Sequence, residues 1–513
     1  MAVELGASRL LAPYFSSSQI VWTIIIGTIM IAMALGNYFG GRWADKNPDP
    51  DKLYKRILLS AVWIAAIPFV GKLIIVGVTG VLIVTVNTNF LIWAAFLACM
   101  LIFVFPLFLL GTVTPSLVKY TTDSLEDNGR TVGTLGAFNT IGSIIGTFAP
   151  TFITIPAVGT AVTFMIFSGI LLLLGLVYFF SCGRCKLRTA ICTVLFIGFC
   201  VAGTTLGFAF WEKTLAFEGE SVYNYLQVKE DDSKTVLSTN VLFGVQSVYM
   251  KNGGLSYLYY DTAMAAPMMT DAGDRSSLLV LGMGTGTYAT QCRRYFPEMS
   301  VCGVEIDDRI TDLAHEYFAL DKSIEVVTYD GRAYLNALRS GKEGRKFDVI
   351  MVDAYQDITI PFQMSSKEFF TLVRESLNEG GVMVVNMNMR SDSEDGINAY
   401  LADTIGSVFS EIWTADVKGS TNRELFASND SRMLTKLGLN TNKVTDGELR
   451  SLLTDITSSL IKYEPGDRIL TDDNAPVEVL GMRVIDGLIS KELEYYKEIF
   501  ERDGLTGLLN SLK

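Results

Sequence analysis

Six apolar stretches in the first 211 residues constrain this chain more than any other feature. They lie at roughly 20–40, 57–78, 89–111, 131–155, 160–180 and 189–211. A spanning helix needs about 20 predominantly apolar residues. Inside hydrocarbon, the backbone of such a segment must satisfy its own hydrogen bonds as helix. The expected architecture is therefore a multi-pass α-helical membrane domain over residues 1–211. No cleaved signal peptide is expected, because one apolar segment follows another. The leading MAVELGASRLLAP, with Glu4 and Arg9, is too short to span and reads as the end of a truncated helix or an interfacial segment. Lys72 interrupts the second stretch, where an extra turn is an open reading. GAFNTIGSIIGTFAP sets Gly142 and Gly146 at GxxxG spacing, which lets two helices approach closely.

Charge separates this half from the rest. Residues 1–211 carry a net +5 and residues 212–513 a net −17, which together make the −12 of the whole chain. An acidic soluble half argues against a nucleic-acid partner, whose phosphates demand a basic surface. It suits a cationic small molecule by long-range attraction. Basic residues collect in the loops 41–56, 112–130 and 181–188, which by the positive-inside tendency lie in the cytoplasm. Followed through six spans, this sets the acidic half outside. The seven cysteines form no disulfide framework. Cys182 and Cys185 make a CxxC without a second pair, better read as small residues at a membrane edge than as zinc ligands. The single histidine, His315, rules out clustered-histidine sites, and no metal is expected.

Residues 212–276 read as a small β-rich lead-in. From residue 277 apolar strands alternate with helical stretches: SLLVLGMG, MSVCGVEID, SIEVVTYDG, KFDVIMVDAY and GGVMVVNMN are strands, with helices between them. Such alternation implies an α/β doubly wound, Rossmann-like sheet that binds ligands at the carboxyl ends of its strands. Gly282, Gly284 and Gly286 permit a tight turn and close approach of the backbone to a ligand, with a helix N-terminus behind them. Glu305 ends the second strand, where a carboxylate can take both ribose hydroxyls. Asp330 ends the third, where a carboxylate meets an adenine amino group, and Asp353 ends the fourth, facing the reacting end of the ligand. Three acids in succession after a glycine turn fit an adenosyl-sulfonium ligand better than a dinucleotide.

These motifs resemble those of the spermidine synthases (polyamine aminopropyltransferases), specifically their membrane-fused bacterial relatives. ELGASRLLAPYF and GNYFGGRWAD are similar to that family's membrane half; GVEIDD, YDGRAYL, FDVIMVDAY and PFQMSSKEFF to its catalytic half; LTDDNAPVE to its tail. The resemblance makes 277–513 an adenosylmethionine-dependent transferase type of domain with a C-terminal extension. It implies decarboxylated S-adenosylmethionine as co-substrate, a polyamine such as putrescine as acceptor, and no required cofactor. It assigns the donor to Gly282, Gly284, Thr285, Gly286, Glu305, Asp330 and Gly331, with Glu305 on the ribose and Asp330 on the adenine. Asp353 becomes the catalytic carboxylate that positions the amine and receives its proton. In the acceptor site it places Asn224, Tyr260 and Asp261, beside Tyr259. Asp357, four residues after Asp353 where the family spaces its second acid by three, is a further acceptor ligand, and Asp472, Asp473 and Glu478 would close over a polycation. At Thr285 the soluble enzymes carry an aspartate that grips the donor's ammonium, so here the choice between decarboxylated and ordinary S-adenosylmethionine is open. Soluble relatives form dimers or tetramers, which leaves the oligomeric state open, a homodimer among the readings.

The residues leave other readings standing. One is methyl or other transfer from S-adenosylmethionine; another is a non-catalytic nucleotide-binding module governing a membrane transporter. The expected location is the cell membrane. Loop charges favour an extracytoplasmic soluble half, while adenosyl donors are cytosolic.

Overall fold

A computed structural model describes residues 1–513 apart from 87, 123–127, 185, 242–244, 342–343, 355–359, 389, 391–392, 394 and 512–513. Cys185 and Asp357 thus lie outside the described residues. The chain divides into two compact units. One comprises Met1–Glu212, Asn240–Leu242 and Ile489–Lys513, the other Lys213–Thr239 and Phe243–Leu488. Residues from Ile489 onward cluster with the helical unit, whereas the sequence reading assigned them to the α/β unit. Apolar residues of the last helix (Val477–Ser511), among them Leu493 and Ile499, are buried, and Lys497 donates to the Val86 carbonyl at 3.0 Å.

Among its described residues the helical unit contains five helices long and apolar enough to cross a membrane: Gln19–Lys46, Pro50–Thr85, Phe90–Thr121, Asn128–Cys182 and Lys186–Thr205. The fourth has 55 residues, about 80 Å of helix at 1.5 Å per residue. Its backbone breaks at Gly159 (φ 77°, ψ 177°), between the expected apolar segments 131–155 and 160–180, which are therefore separate helices. Lys72 does not mark an extra turn. It follows a π-helical segment, Ile67–Gly71, in an otherwise continuous helix. Only 3% exposed, it donates to the Leu206 carbonyl and lies 4.3 Å from the Phe208 ring centroid, which satisfies its charge internally. The leading segment is a packed helix, Ala2–Phe15, with Ala7, Leu10, Leu11, Tyr14 and Phe15 buried.

Close helix packing falls on a different glycine pair from the expected one. A Cβ added at Gly142 would meet nothing within 4 Å, while one at Gly146 would lie 3.3 Å from Met1 Cβ and 3.6 Å from the Ala2 nitrogen, looser than the contacts of that other pair. In the helix Gln19–Lys46, Gly36 and Gly40 stand at the same spacing; Cβ atoms there would lie 2.9 Å from Gly111 Cα and 2.6 Å from Thr112 Cα. Those distances leave no room for a side chain, so backbone meets backbone.

Among its described residues the second unit holds two sheets. Four antiparallel strands, β1 (Leu215–Glu220), β2 (Tyr225–Glu230), β3 (Lys234–Ser238) and β4 (Ser247–Met250), pair in sequence order. Eight more follow: β5 (Ser277–Leu281), β6 (Ser300–Glu305), β7 (Glu325–Thr328), β8 (Phe347–Val352), β9 (Leu377–Met387), β10 (Glu411–Asp416), β11 (Arg423–Ser428) and β12 (Ile461–Lys462). They form one sheet in the order β12-β10-β11-β9-β8-β5-β6-β7. Pairs from β9 to β7 are parallel, as the alternating pattern predicts, whereas β11, β10 and β12 extend the sheet antiparallel. Val, Ile and Leu fill both faces of the parallel strands, as burial on two sides requires. Chain order reverses between β5 and β8, and at such a switch point the diverging loops leave a crevice.

Candidate active site

The crevice is a cavity of about 480 Å³ lined from β4, the ends of β5 to β9 and the segment Ser420–Asn422. Gly282, Gly284 and Gly286 all take positive φ (79°, 54° and 74°). At Gly282 a Cβ would lie 2.5 Å from Ala354 Cα, so the turn after β5 admits no side chain there. The helix Thr287–Tyr295 starts immediately behind it.

Glu305, 7% exposed at the end of β6, is fixed by the backbone. Its Oε2 accepts from the Gly284 N–H at 2.8 Å and its Oε1 from the Asp307 N–H at 3.1 Å. Burial raises its pKa, and these two donors oppose the shift. Asp330 caps the helix Gly331–Ser340 through the Ala333 N–H at 2.8 Å while lining the cavity beside Gly331. Asp353, half-buried just past β8, accepts from the Tyr259 hydroxyl at 2.6 Å and from the Asn386 amide at 2.9 Å. Burial pushes its pKa up to about 7; the two donors work against that, and Glu305's charge adds to it. Tyr259 keeps its proton, because burial and the neighbouring Asp353 hold its pKa well above the ordinary phenol value.

Other expected residues sit differently. Thr285 is fully buried and is not among the cavity-lining residues. Its N–H donates to Ser247 Oγ at 3.4 Å and its hydroxyl lies 3.3 Å from that of Thr287, the residue that does line the cavity. Asn224 lines it with its amide held by Asp307 at 3.0 Å. Tyr260 lines it and donates to the Gln246 carbonyl at 3.2 Å. Asp261 does not line it. One of its oxygens accepts from the Tyr257 N–H (2.6 Å) and the Ser256 hydroxyl (3.1 Å), and burial pushes its pKa up to about 6. Asp472 is held by a bidentate Arg332 (2.7 and 2.6 Å), and the same Arg332 donates to the Gln363 carbonyl on the cavity wall. Neither it nor Asp473 lines the cavity. His315 holds the Leu320 carbonyl at 2.9 Å, a local structural contact.

Sequence reasoning passed over Asn386, Asn388 and Asn422. Asn386 bonds Asp353, and Asn422 donates to the Asn386 amide oxygen at 2.8 Å. The signal was present in VVNMNMR, where polar residues break an apolar strand at its carboxyl end, as the acids do at the ends of β6, β7 and β8.

Among the described lining residues the only ionisable groups besides tyrosine are Glu305, Asp330 and Asp353, and none is Lys, Arg or His. Three carboxylates without a cationic side chain among the described lining residues give this α/β crevice a negative wall at the switch point of the sheet. The matching family model is the spermine/spermidine synthase domain, over residues 257–413. A probable polyamine aminopropyl transferase of Bifidobacterium longum is 51% identical over 355 residues, 66% of this chain and 78% of the relative. The polyamine aminopropyltransferase of Vibrio vulnificus is 26% identical over 235 residues, 45% of this chain and 75% of that one. A probable spermidine synthase structure from Corynebacterium glutamicum aligns at TM-score 0.37 and 19% identity, covering 50% of this chain and 98% of that one. The chain belongs to the spermine/spermidine synthase family and is a polyamine aminopropyltransferase-like transferase.

Proposed function

We propose that the cavity moves an aminopropyl group from decarboxylated S-adenosylmethionine to a diamine such as putrescine. The supporting observation is a set of three carboxylates on successive strand ends with no cationic side chain among the described lining residues. A sulfonium and ammonium groups suit such walls, whereas a phosphate or carboxylate would meet only like charge. Glu305, clamped by backbone N–H groups, takes the ribose hydroxyls, Asp330 the adenine edge, and Gly282, Gly284 and Gly331 give the donor room. Thr287 and Ser247 line the wall where the aminopropyl chain leaves the sulfonium.

In the reaction the acceptor nitrogen attacks the carbon bound to sulfur. The C–S bond breaks, its electron pair returns to sulfur as a neutral thioether, and the nitrogen sheds a proton. Asp353 is the proton acceptor. An alkyl amine near pKa 10 and an ordinary carboxylate near 4 differ by roughly six units, or about 8 kcal/mol. With Asp353 at about 7, the gap shrinks to roughly three units, about 4 kcal/mol. In-line positioning does the remaining work. The helical unit is a multi-pass anchor holding the transferase at the cell membrane.

The test is turnover by the full-length chain in detergent, with labelled decarboxylated donor and putrescine. Labelled spermidine, lost in Asp353→Asn, supports the reading. Methylated product from ordinary S-adenosylmethionine, with no aminopropyl transfer, overturns it.

A further inference from the structure

Behind the acceptor wall lies a carboxyl that this chemistry does not use. Glu424 of β11 is 0% exposed, and neither of its oxygens has a hydrogen-bond partner among the described residues. Its place is set by register. Val352 of β8 aligns with Val385 of β9, which brings the next residues, Asp353 and Asn386, together at the 2.9 Å hydrogen bond. Asn386 in turn stands directly opposite Glu424 in the antiparallel β9–β11 pair. Directly opposed residues project from the same face with Cβ atoms about 4.5–5.5 Å apart. Asp353, Asn386 and Glu424 therefore form one row, carboxyl–amide–carboxyl, across three neighbouring strands. The next pair along that face, Val384 and Phe426, is core. An unsatisfied acid in such surroundings costs stability, and an apolar side chain of similar volume would fit at lower cost.

We infer that Glu424 is a positioning residue for Asp353, acting through Asn386: its O–H donates to the Asn386 amide oxygen and fixes the amide with its nitrogen toward Asp353. An amide oxygen accepts two hydrogen bonds, so Asn422 and Glu424 hold it together. Burial and the charge of Asp353 keep Glu424 protonated well above the ordinary range, which supplies the donor. The titratable groups around the row are Tyr259 and Tyr260 from the helix Tyr259–Ala263, Tyr288 from the helix Thr287–Tyr295, and Glu305 on β6. Across β10 the opposed residue is Ala415. None of these is a cation that would draw off Glu424's proton. The inference rests on the proposed role of Asp353 and adds a residue to it.

The test uses the full-length chain in detergent. The Asp353 carboxyl band, identified by its loss in Asp353→Asn, is followed against pH by infrared difference spectroscopy, alongside kcat, KM and thermal melting. Glu424→Gln keeps a donor of the same shape, and Glu424→Leu removes it at similar volume; Glu424→Met replaces the latter if it does not fold. The Gln variant is expected to keep the midpoint and most of the turnover. The Leu variant is expected to raise the midpoint by about one unit and, at pH below that midpoint, to lower kcat up to about tenfold as the ionised fraction of Asp353 falls. The donor's KM should hold, and Tm should rise as an apolar side chain replaces the desolvated carboxyl in the core. A Leu variant that titrates and turns over like the native chain overturns the inference, as does a Gln variant impaired as severely as Leu. If the native chain transfers no aminopropyl group, the proposed function falls, and the Asp353 midpoint in the Leu variant still decides the role of Glu424.

Discussion

Asp353 has a carboxyl whose proton affinity is set by where the chain buries it. Its pKa in the fold, about 7, stands above the ordinary 3.8. The folded chain thus binds that proton more tightly than the unfolded chain does. The corresponding stability is fully present below about pH 4 and is lost as pH rises toward 7. Asp353→Asn should therefore raise Tm at pH 8 and leave it nearly unchanged at pH 4, while lowering kcat/KM by about 10²–10⁴-fold; melting curves at the two pH values check the sign. Tyr259→Phe removes a donor that favours the ionised form, so the acid limb of the pH–rate profile should move upward by roughly half to one unit. An unmoved limb would mean that Tyr259 does not hold Asp353 in solution. Acids at strand ends were legible in the sequence because a carboxylate terminating an apolar run stands out. Asp261 was not legible as a turn-fixing acid, since its partners, the Tyr257 N–H and the Ser256 hydroxyl, come from a local turn that no periodicity announces. Glu424 was hidden for a different reason: only the β9–β11 register sets it beside Asn386.

At the scale of elements, the parallel strands could be read directly, because burial on both faces turns β5, β6, β8 and β9 into apolar runs bounded by polar turns. The antiparallel extension escaped that reading. RELFAS and EIWTAD alternate weakly and carry Glu424 and Asp416, and two-residue β12 has no pattern at all. In the helical unit the apolar stretches were plain, but their glycines were not ranked by spacing alone. Gly142 and Gly146 match the motif as well as Gly36 and Gly40 do, yet Gly142 meets nothing within 4 Å and Gly146 only the start of the helix Ala2–Phe15, at 3.3 Å or more, whereas the latter pair meets backbone under 3 Å, at Gly111 and Thr112. Gly36→Leu should therefore force the helices Gln19–Lys46 and Phe90–Gly111 apart, with an overpacking cost of about 1–3 kcal/mol or more. Gly142→Leu should be tolerated. Thermal unfolding of the two variants in the same detergent separates them, and equal destabilisation would move the close contact elsewhere.

For the whole molecule, charge acts at two ranges. Residues 212–513 carry a net −17, a field that draws cations in from beyond contact distance and weakens once salt shortens the Debye length to about 10 Å at 0.1 M. Inside the cavity the same sign recurs at contact distance in Glu305, Asp330 and Asp353. These two layers make a joint prediction about the donor. Ordinary S-adenosylmethionine differs from its decarboxylated form by one carboxylate, which would enter walls whose described residues include no cation to receive it. Thr285, at the position where the soluble family members carry an aspartate, faces the Thr287 hydroxyl rather than the cavity. Discrimination therefore falls to the carboxylates on the walls and to the absence of a counter-charge among them. Calorimetric titration of the full-length chain should show the decarboxylated donor binding about 10–100-fold more tightly, or roughly 1.4–2.7 kcal/mol. The gap should narrow as salt is raised, and it should narrow further in Glu305→Gln, which removes one of the repelling charges. Equal affinities at low salt would mean that a backbone N–H group takes the carboxylate, with the turn Gly282–Gly286 and the helix N-terminus behind it the place to look.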